Sequence, residues 1–540
     1  MLTPSKRGPS SAEKFTLNLN GGEALQLFLV FFFYFIYAFN PTWLYDDAYF
    51  FVRYAENILN GHGYTWNAGQ PPVDGLTSPL WLVVVLVGML LTPVEAAHSG
   101  YLLVVLSTSF SLLLIFLIYY CLRYFLPIQA RSLAILGPLF FVLTDVNLIV
   151  AGQSGMETAL SACMLVGFMW LAASYQQEDE AGVIPLPTAI LLGVFGFLLV
   201  LARPEFGLVA GLCPLILFVT LFAKRSPATR GVFYWGYTTA LLLIFYGVIR
   251  IFVFNDLFPQ SFYIKGSIWN SPYDDFNAGE LQSLAKYSYM FLRESAVLHL
   301  LIFYALCQRR LWLRYLWIWL PLYACMLYLS FSIQIMGYLH RYYFPFACGL
   351  VALIGLLYGR LVKEGVFSFH WVHTHAVNRA VFIGLILYIC ATTYLPQTQL
   401  RSFKRTYDSH DFRVAKIFNN LPDGTRVVAT ELGIIAANNP HLEFIDITGL
   451  NDRTFAQGFD AAELFARKPD VFTLIHHHYG GINRDIMQHP RFRREYIPIR
   501  KLNPSGETFK LDNTIFIWKN SPNYKQILRA LLTTPEPVFE

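Results

Sequence analysis

Charge is what this chain of 540 residues is shortest of: only 14% of its residues are Asp, Glu, Lys or Arg, against 55% hydrophobic and 17% aromatic. A sequence so poor in charge is no ordinary soluble domain, and its mean hydropathy of +0.44 points to a polytopic membrane protein. Cysteine is scarce too. Cys121, Cys163, Cys213, Cys307, Cys325, Cys348 and Cys390 all fall within or at the ends of apolar runs, so the spacing implies neither a disulfide framework nor a zinc site. Internal repeats and low-complexity tracts are missing, which weighs against a transporter built of duplicated halves. Nucleotide motifs are missing as well: Gly480 and Gly481 read as a turn, without phosphate-loop spacing or its lysine. The net charge of +5 is accounted for by topology and calls for no nucleic-acid partner.

What the chain does have is a series of apolar runs of membrane-spanning length. They lie near residues 24–42, 100–120, 132–150, 158–175, 184–201, 206–223, 232–254, 294–308, 311–331, 343–360 and 378–396, about eleven spans. The first follows Lys6, Arg7 and Lys14 with no small-residue cleavage site after it, and reads as a retained span. Residues 78–91 are shorter, bounded by Ser78-Pro79 and Thr92-Pro93, and are expected to lie as a helix on the outer surface; as a span they would reverse the later topology. The former choice places Arg123, Arg131, Lys224, Arg225, Arg230, Arg309, Arg310, Arg314, Arg360, Lys363 and Arg379 in cytoplasmic connections, as the positive-inside rule requires. The acidic QQEDE stretch after Tyr175 is an exception of little weight in that rule.

Beyond about Leu400 the charge rises and the long apolar runs end. Residues 426–430, 443–448, 470–475 and 514–519 read as strands, with helical stretches at 431–438 and 460–467. The expected organisation is a membrane domain over 1–399 with a large first outer loop at 43–99, then a soluble α/β domain over 400–540.

With this topology five polar motifs share the outer side: YDDAY around Asp46 and Asp47, QSGMET (153–158), ARPEFG (202–207), NDLFPQSFYIKG (255–266) and MGYLHRYYFP (336–345). Two adjacent carboxylates beside a membrane are costly unless something there wants negative charge. On a helix starting near Asp46, the residues Asp46, Phe50, Arg53 and Asn57 share one face. A plainer reading makes the Asp pair a helix cap. Glu157 is either a favourable helix-start acid or a second carboxylate that binds a sugar or helps hold a divalent cation. Arg203 either forms a local bridge to Glu205 or joins the site. Lys265 and Arg341 sit among Tyr263, Tyr338, Tyr342 and Tyr343, where an interfacial belt and a lipid-phosphate site would use the same residues. The triplet His476–His478 would point in alternating directions at a strand end, a poor metal site.

The ordered motifs DDAYFFVRYAENILNGHGYTWNAG, GLTSPLW, SGMET, ARPEFG, PQSFYIKG, HRYYFP and FIDITGLND, from Asp46 to Asp452, resemble the polyprenyl-phosphate arabinofuranosyltransferases of the GT-C superfamily, both the mycobacterial terminal and the pseudomonad pilin types. The resemblance implies a GT-C fold of about eleven transmembrane helices with an outer-face α/β domain, in a bacterial inner membrane with the site facing the periplasm. It implies a lipid-linked sugar donor and a glycan or pilin-like protein acceptor. It makes Asp46 the catalytic carboxylate with Asp47 beside it, and Glu157 the acid of the second loop. Gln260-Ser261-Phe262-Tyr263 departs from the short polar residue that the family often has after the Pro.

The chemistry agrees with this. A hydroxyl acceptor benefits from a carboxylate base, Asp46, and a departing polyprenyl phosphate needs cations. Arg203, Lys265 and Arg341, with Tyr263, His340 and Tyr342, are expected around the phosphate, and Glu157, Arg53 and Asn57 around the substrates. A divalent cation (Mg, Mn or Ca), if used, would take Asp46 and Glu157. The sugar expected is D-arabinofuranose, the alternatives being mannose or another sugar, and from a different class a lipid-carrier transporter.

Overall fold

A computed structural model describes residues 21–38, 44–92, 99–127, 134–138, 141, 146–178, 184–265, 288–332, 338–366, 411–474, 480–502 and 513–533. Among these, six helices are long and apolar enough to cross a membrane: Ser99–Phe125, Thr158–Tyr175, Pro204–Ala223, Thr229–Phe254, Ala296–Arg314 and Arg341–Lys363. Four shorter apolar helices accompany them: Glu23–Phe32, Pro79–Leu91, Leu186–Ala202 and Leu316–Leu329. The expected span at 378–396 lies outside the described residues, as do part of 132–150 and all of His476–His478.

Burial separates a centre from a rim. Phe344–Lys363 is buried almost throughout and so is Thr158–Tyr175, whereas Thr229–Phe254 turns Phe245, Phe252 and other large apolar side chains outward. In lipid, outward apolar surface costs nothing, so close backbone approach decides which helices meet. Gly193 and Gly355 show this: a Cβ at either would lie 2.5 Å from a neighbouring side-chain carbon, on Thr238 and Leu122 respectively. These two glycines let Thr229–Phe254 nest on Leu186–Ala202, and let Phe344–Lys363 nest on Ser99–Phe125.

Past residue 411 a five-stranded mixed sheet forms from β1 (Arg426–Ala429), β2 (Glu443–Ile445), β3 (Val471–Thr473), β4 (Tyr496–Leu502) and β5 (Asn513–Trp518), in the order β2-β1-β3-β5-β4. β1 pairs parallel with β2 and β3, and β5 runs antiparallel between β3 and β4. Four of the five coincide with strands expected from sequence. β4 was not expected; it contains Pro498, which a central strand would exclude, but it is an edge strand with a register shift between Pro498 and Arg500.

The apolar core of this sheet does not stop at the membrane domain. Val427, Val428, Phe444, Ile445, Ile434 and Ile435 belong to the same buried cluster as Tyr49, Phe50, Tyr54, Trp66 and Trp81 of the first outer loop. The loop helix Ala48–Leu59 is therefore the floor on which the α/β layer stands.

Candidate functional site

Four of the polar outer motifs converge. The turn Tyr45–Asp47 is tied to SGMET by Tyr45 N–H donating to the Ser154 carbonyl at 3.1 Å. Glu157, at the end of that motif, accepts from Arg203 Nη1 at 3.0 Å, and Arg203 Nε is also paired with Glu205. The Arg203 guanidinium lies 4.8 Å from the Tyr342 ring centre, which brings in the fourth motif. Arg341 completes the set, 4% exposed, 4.5 Å from the Tyr45 ring centre and 5.1 Å from that of Tyr342.

Within this cluster the two arginines differ. Arg203 is held between two carboxylates. Arg341 has one long hydrogen bond, Nη2 to the Tyr342 hydroxyl at 3.3 Å, and Nη2 lies 3.8 Å from Asp47 Oδ2. Its Nε and Nη1 are buried and have no hydrogen-bond partner, and Glu157 Oε2 is buried and unpartnered too. Buried guanidinium N–H groups are nearly always satisfied in proteins, so two unpartnered nitrogens on one buried cation leave it with donors that an anion can take.

The adjacent aspartates separate in environment. Helix Ala48–Leu59 begins two residues later than a helix with Asp46 on its face would require. Asp47 occupies its N-cap position without a side-chain cap bond, and its side chain is 18% exposed. Asp46 is 3% exposed and points across to the C-terminal layer: its Oδ2 accepts from Gly433 N at 2.8 Å and its Oδ1 from Ile434 N at 2.6 Å. Burial pushes its pKa up from 3.8 to about 6; the amides of Ile434 and Gly433 oppose that rise and the Asp47 charge adds to it.

Arg53 and Asn57 lie on one face of Ala48–Leu59, and both reach the Thr65–Asn67 loop. Arg53 donates to the carbonyls of Trp66 (2.7 Å), Ala436 (2.6 Å), Asn439 (3.4 Å) and Leu442 (3.1 Å) and to Asn67 Oδ1 (2.9 Å). Asn57 Nδ2 donates to Thr65 O and Trp66 O. These two side chains are committed to protein contacts. Tyr263 is half exposed among Phe258 and Phe262, away from the arginine cluster in its ring contacts. The side chains of Lys265 and His340 lie outside the described residues. Among the described residues no three His, Cys, Asp or Glu gather to hold a metal ion, and Asp46 and Glu157 have different partners.

Sequence reasoning passed over a second buried pair, Asp74 with Arg250. Asp74 also accepts from the Tyr64 hydroxyl (2.8 Å) and Leu76 N (3.2 Å), and its carbonyl accepts from Gln260 N (2.8 Å). Asp446 was likewise missed as an organiser: it accepts from Thr448 and Asn451, and Asn451 Oδ1 accepts from the Tyr54 hydroxyl at 3.0 Å. The only sequence signal for either lay in the blocks GLTSPLW and FIDITGLND, within or beside which they fall.

Comparison with solved structures shows the class of fold. The chain matches ArnT from Cupriavidus metallidurans bound to undecaprenyl phosphate, at 11% identity and a TM-score of 0.50, covering 93% of this chain and 98% of that one. It matches the Archaeoglobus fulgidus oligosaccharyltransferase in its apo form at 12% identity and a TM-score of 0.51, covering 94% and 78%. The archaeal oligosaccharyltransferase AglB from Archaeoglobus fulgidus, in complex with an inhibitory peptide and a dolichol-phosphate, matches at 12% identity and a TM-score of 0.50, covering 94% and 77%. The likeness is one of fold: the chain shares the overall architecture of these membrane-protein structures. A family model described as "Domain of unknown function (DUF8728)" matches residues 397–520, and no curated protein matches the sequence.

Proposed function

We propose that this chain is a membrane glycosyltransferase that moves a sugar from a polyprenyl-phosphate carrier to a hydroxyl acceptor at the outer face of a bacterial inner membrane. The observation that carries the reading is Arg341: a buried cation with two unpartnered N–H groups, between two tyrosine rings, beside an open carboxylate. A polyprenyl phosphate presents the anion such a fork matches. Proteins of the same fold are seen with undecaprenyl phosphate and with a dolichol-phosphate. The sugar we assign is D-arabinofuranose, on the ordered motifs from Asp46 to Asp452, and the acceptor is a glycan or protein hydroxyl.

In the reaction the acceptor oxygen attacks the anomeric carbon while its proton passes to a carboxylate. The bond from that carbon to the phosphate oxygen breaks, and the phosphate leaves with the electron pair, its charge met by Arg341 Nε and Nη1. Asp46 is the base in this assignment. Its pKa of about 6 leaves it ionised yet basic enough near neutral pH, and with the amides of Gly433, Ile434 and Leu432 on its two oxygens the carboxylate still retains an acceptor site. Asp47 faces Arg341 and Glu157 orients Arg203. The side chains of Lys265, His340 and Tyr263 belong to the proposed donor site on motif grounds.

The test is transfer by purified protein from a polyprenyl-phosphate-linked arabinose, with free polyprenyl phosphate as the second product. Asp46→Asn should keep the protein folded and membrane-inserted and lose at least about 10²-fold in rate. Wild-type turnover by that variant would remove Asp46 as base, and a wild-type protein that releases no polyprenyl phosphate from any lipid-linked sugar would remove the enzyme reading.

A further inference from the structure

We infer that the C-terminal segment Gly433–Leu442 is a positioning element of the transfer site, holding the plane of the Asp46 carboxylate through the Gly433 and Ile434 amides. This rests on the assignment of Asp46 as the base.

Both ends of the short helix Gly433–Ala437 are gripped by the first outer loop. At its start, the two Asp46 oxygens accept from successive backbone amides, at 2.8 and 2.6 Å. At its end, Arg53 takes the carbonyls of Ala436, Asn439 and Leu442. An acid at the amino end and a cation at the carboxyl end complement the peptide dipoles. The approach leaves no slack: a Cβ on Gly433 would lie 2.6 Å from the Asp46 carbonyl carbon, and closer still to its oxygen. Asn439 locks the following turn by donating to the carbonyls of Ala415 and Ile435.

Apolar contact already joins the two layers, since Ile434, Ile435 and Phe444 share a core with Phe50 and Trp66. A buried carboxylate is a poor adhesive beside such a core, because its desolvation offsets most of what its bonds return. What two amides do that a core cannot is fix rotation of the carboxylate. Bonded on both oxygens by Gly433 and Ile434, with the Leu432 amide also bonding to it, the group keeps its remaining lone pair in a set direction. A base misplaced by about 1 Å can lose about 10²-fold in rate.

The experiment removes one amide. Ile434 is the second residue of its helix, in the first turn where proline is tolerated; there the N–H is lost and the ring Cδ takes its place against Asp46 Oδ1, so the carboxylate loses this anchor and is displaced. Ile434→Pro compared with Ile434→Val separates the N–H from the side-chain change. The expected result is a kcat about tenfold or more lower for the proline variant than for the valine variant, with the donor KM the same in both. A second variant, Arg53→Lys, keeps the charge but cannot reach all five acceptors, and should also lower kcat while sparing the donor KM. Equal kcat for Ile434→Pro and Ile434→Val overturns the inference whatever Arg53→Lys does. Asp46→Asn, run alongside, keeps the two ideas apart. Wild-type transfer by it sinks the base assignment, whereas lost transfer by it with full activity in Ile434→Pro sinks the positioning role alone.

Discussion

Arg341→Met is the substitution in which stability and activity should part most widely. In the protein as it stands, Arg341 contributes little to the fold. Its contact with Asp47 is long, 3.8 Å, and Asp47 is partly open to solvent, so the pair is worth about 0–1 kcal/mol. The rings of Tyr45 and Tyr342 give back up to about 2 kcal/mol each. Against this, each buried unpartnered N–H costs about 1–3 kcal/mol, and there are two. The stabilising and destabilising ranges overlap, and a methionine would recover part of the ring contact through its sulfur.

Donor binding should respond in the opposite way. Two charge-assisted bonds to a phosphate are worth about 1.5–3 kcal/mol each, so their loss lowers kcat/KM for the donor by about 10²–10⁴-fold. Two assays decide it: the thermal midpoint in detergent, expected to stay within a few degrees of wild type, and transfer at varied donor concentration. A variant that unfolds early, or one that uses the lipid donor with unchanged kcat/KM, would refute the reasoning, since either makes Arg341 a structural residue.

Arg203→Met should behave as the mirror image: it strands Glu157 and Glu205 together in a buried site, and breaking such a pair costs about 3–5 kcal/mol, read as a lower thermal midpoint. The pH profile of kcat/KM should fall about tenfold per unit below about pH 6, as Asp46 takes up a proton. Because its folded-state pKa is raised, the stability linked to this group is present below 3.8 and lost as pH rises through about 6, so activity lost at pH 5 should return on neutralisation without refolding; an acid limb near pH 4 would exclude Asp46. Gly75→Ala should loosen the C-terminal layer, because its Cβ would lie 2.5 Å from the Leu450 carbonyl and nearer still to Asn451 Oδ1; limited proteolysis should then release a fragment beginning near residue 400, and wild-type resistance would argue against this docking contact.

Much of the architecture was legible because it rests on local pattern. Apolar length marks a membrane helix, alternation between turn signals marks β1, β2, β3 and β5, and Ser78-Pro79 marks a helix start: Ser78 caps Pro79–Leu91 by accepting from Trp81 N. What stayed hidden is pairing across the chain. Arg250 reads as one charge within an apolar run, and nothing near it in sequence names Asp74 as its partner. The expected face shared by Asp46, Arg53 and Asn57 followed helical periodicity, but the helix begins at Ala48, and the turn before it rotates Asp46 toward a segment 387 residues away. The convergence of Glu157, Arg203, Arg341 and Tyr342 needed topology first, since only a shared side of the membrane puts four separate motifs within reach of one another.

The positions of the charges also explain why a chain so poor in them keeps these few. Helix centres tolerate apolar side chains at no cost, so an ionised group persists at the helix ends only where a partner meets it. Arg203 is met by Glu157 and Glu205, Arg250 by Asp74, and Arg53 by backbone carbonyls. Arg341 keeps two buried nitrogens, Nε and Nη1, with no partner, where Arg250 keeps one, and Glu157 keeps one bare oxygen. Folding does not reward that arrangement, because an apolar residue would be no worse for stability. A ligand that brings an anion to the arginine and a hydroxyl to the oxygen would reward it, and a sugar phosphate ester carries both groups on one molecule.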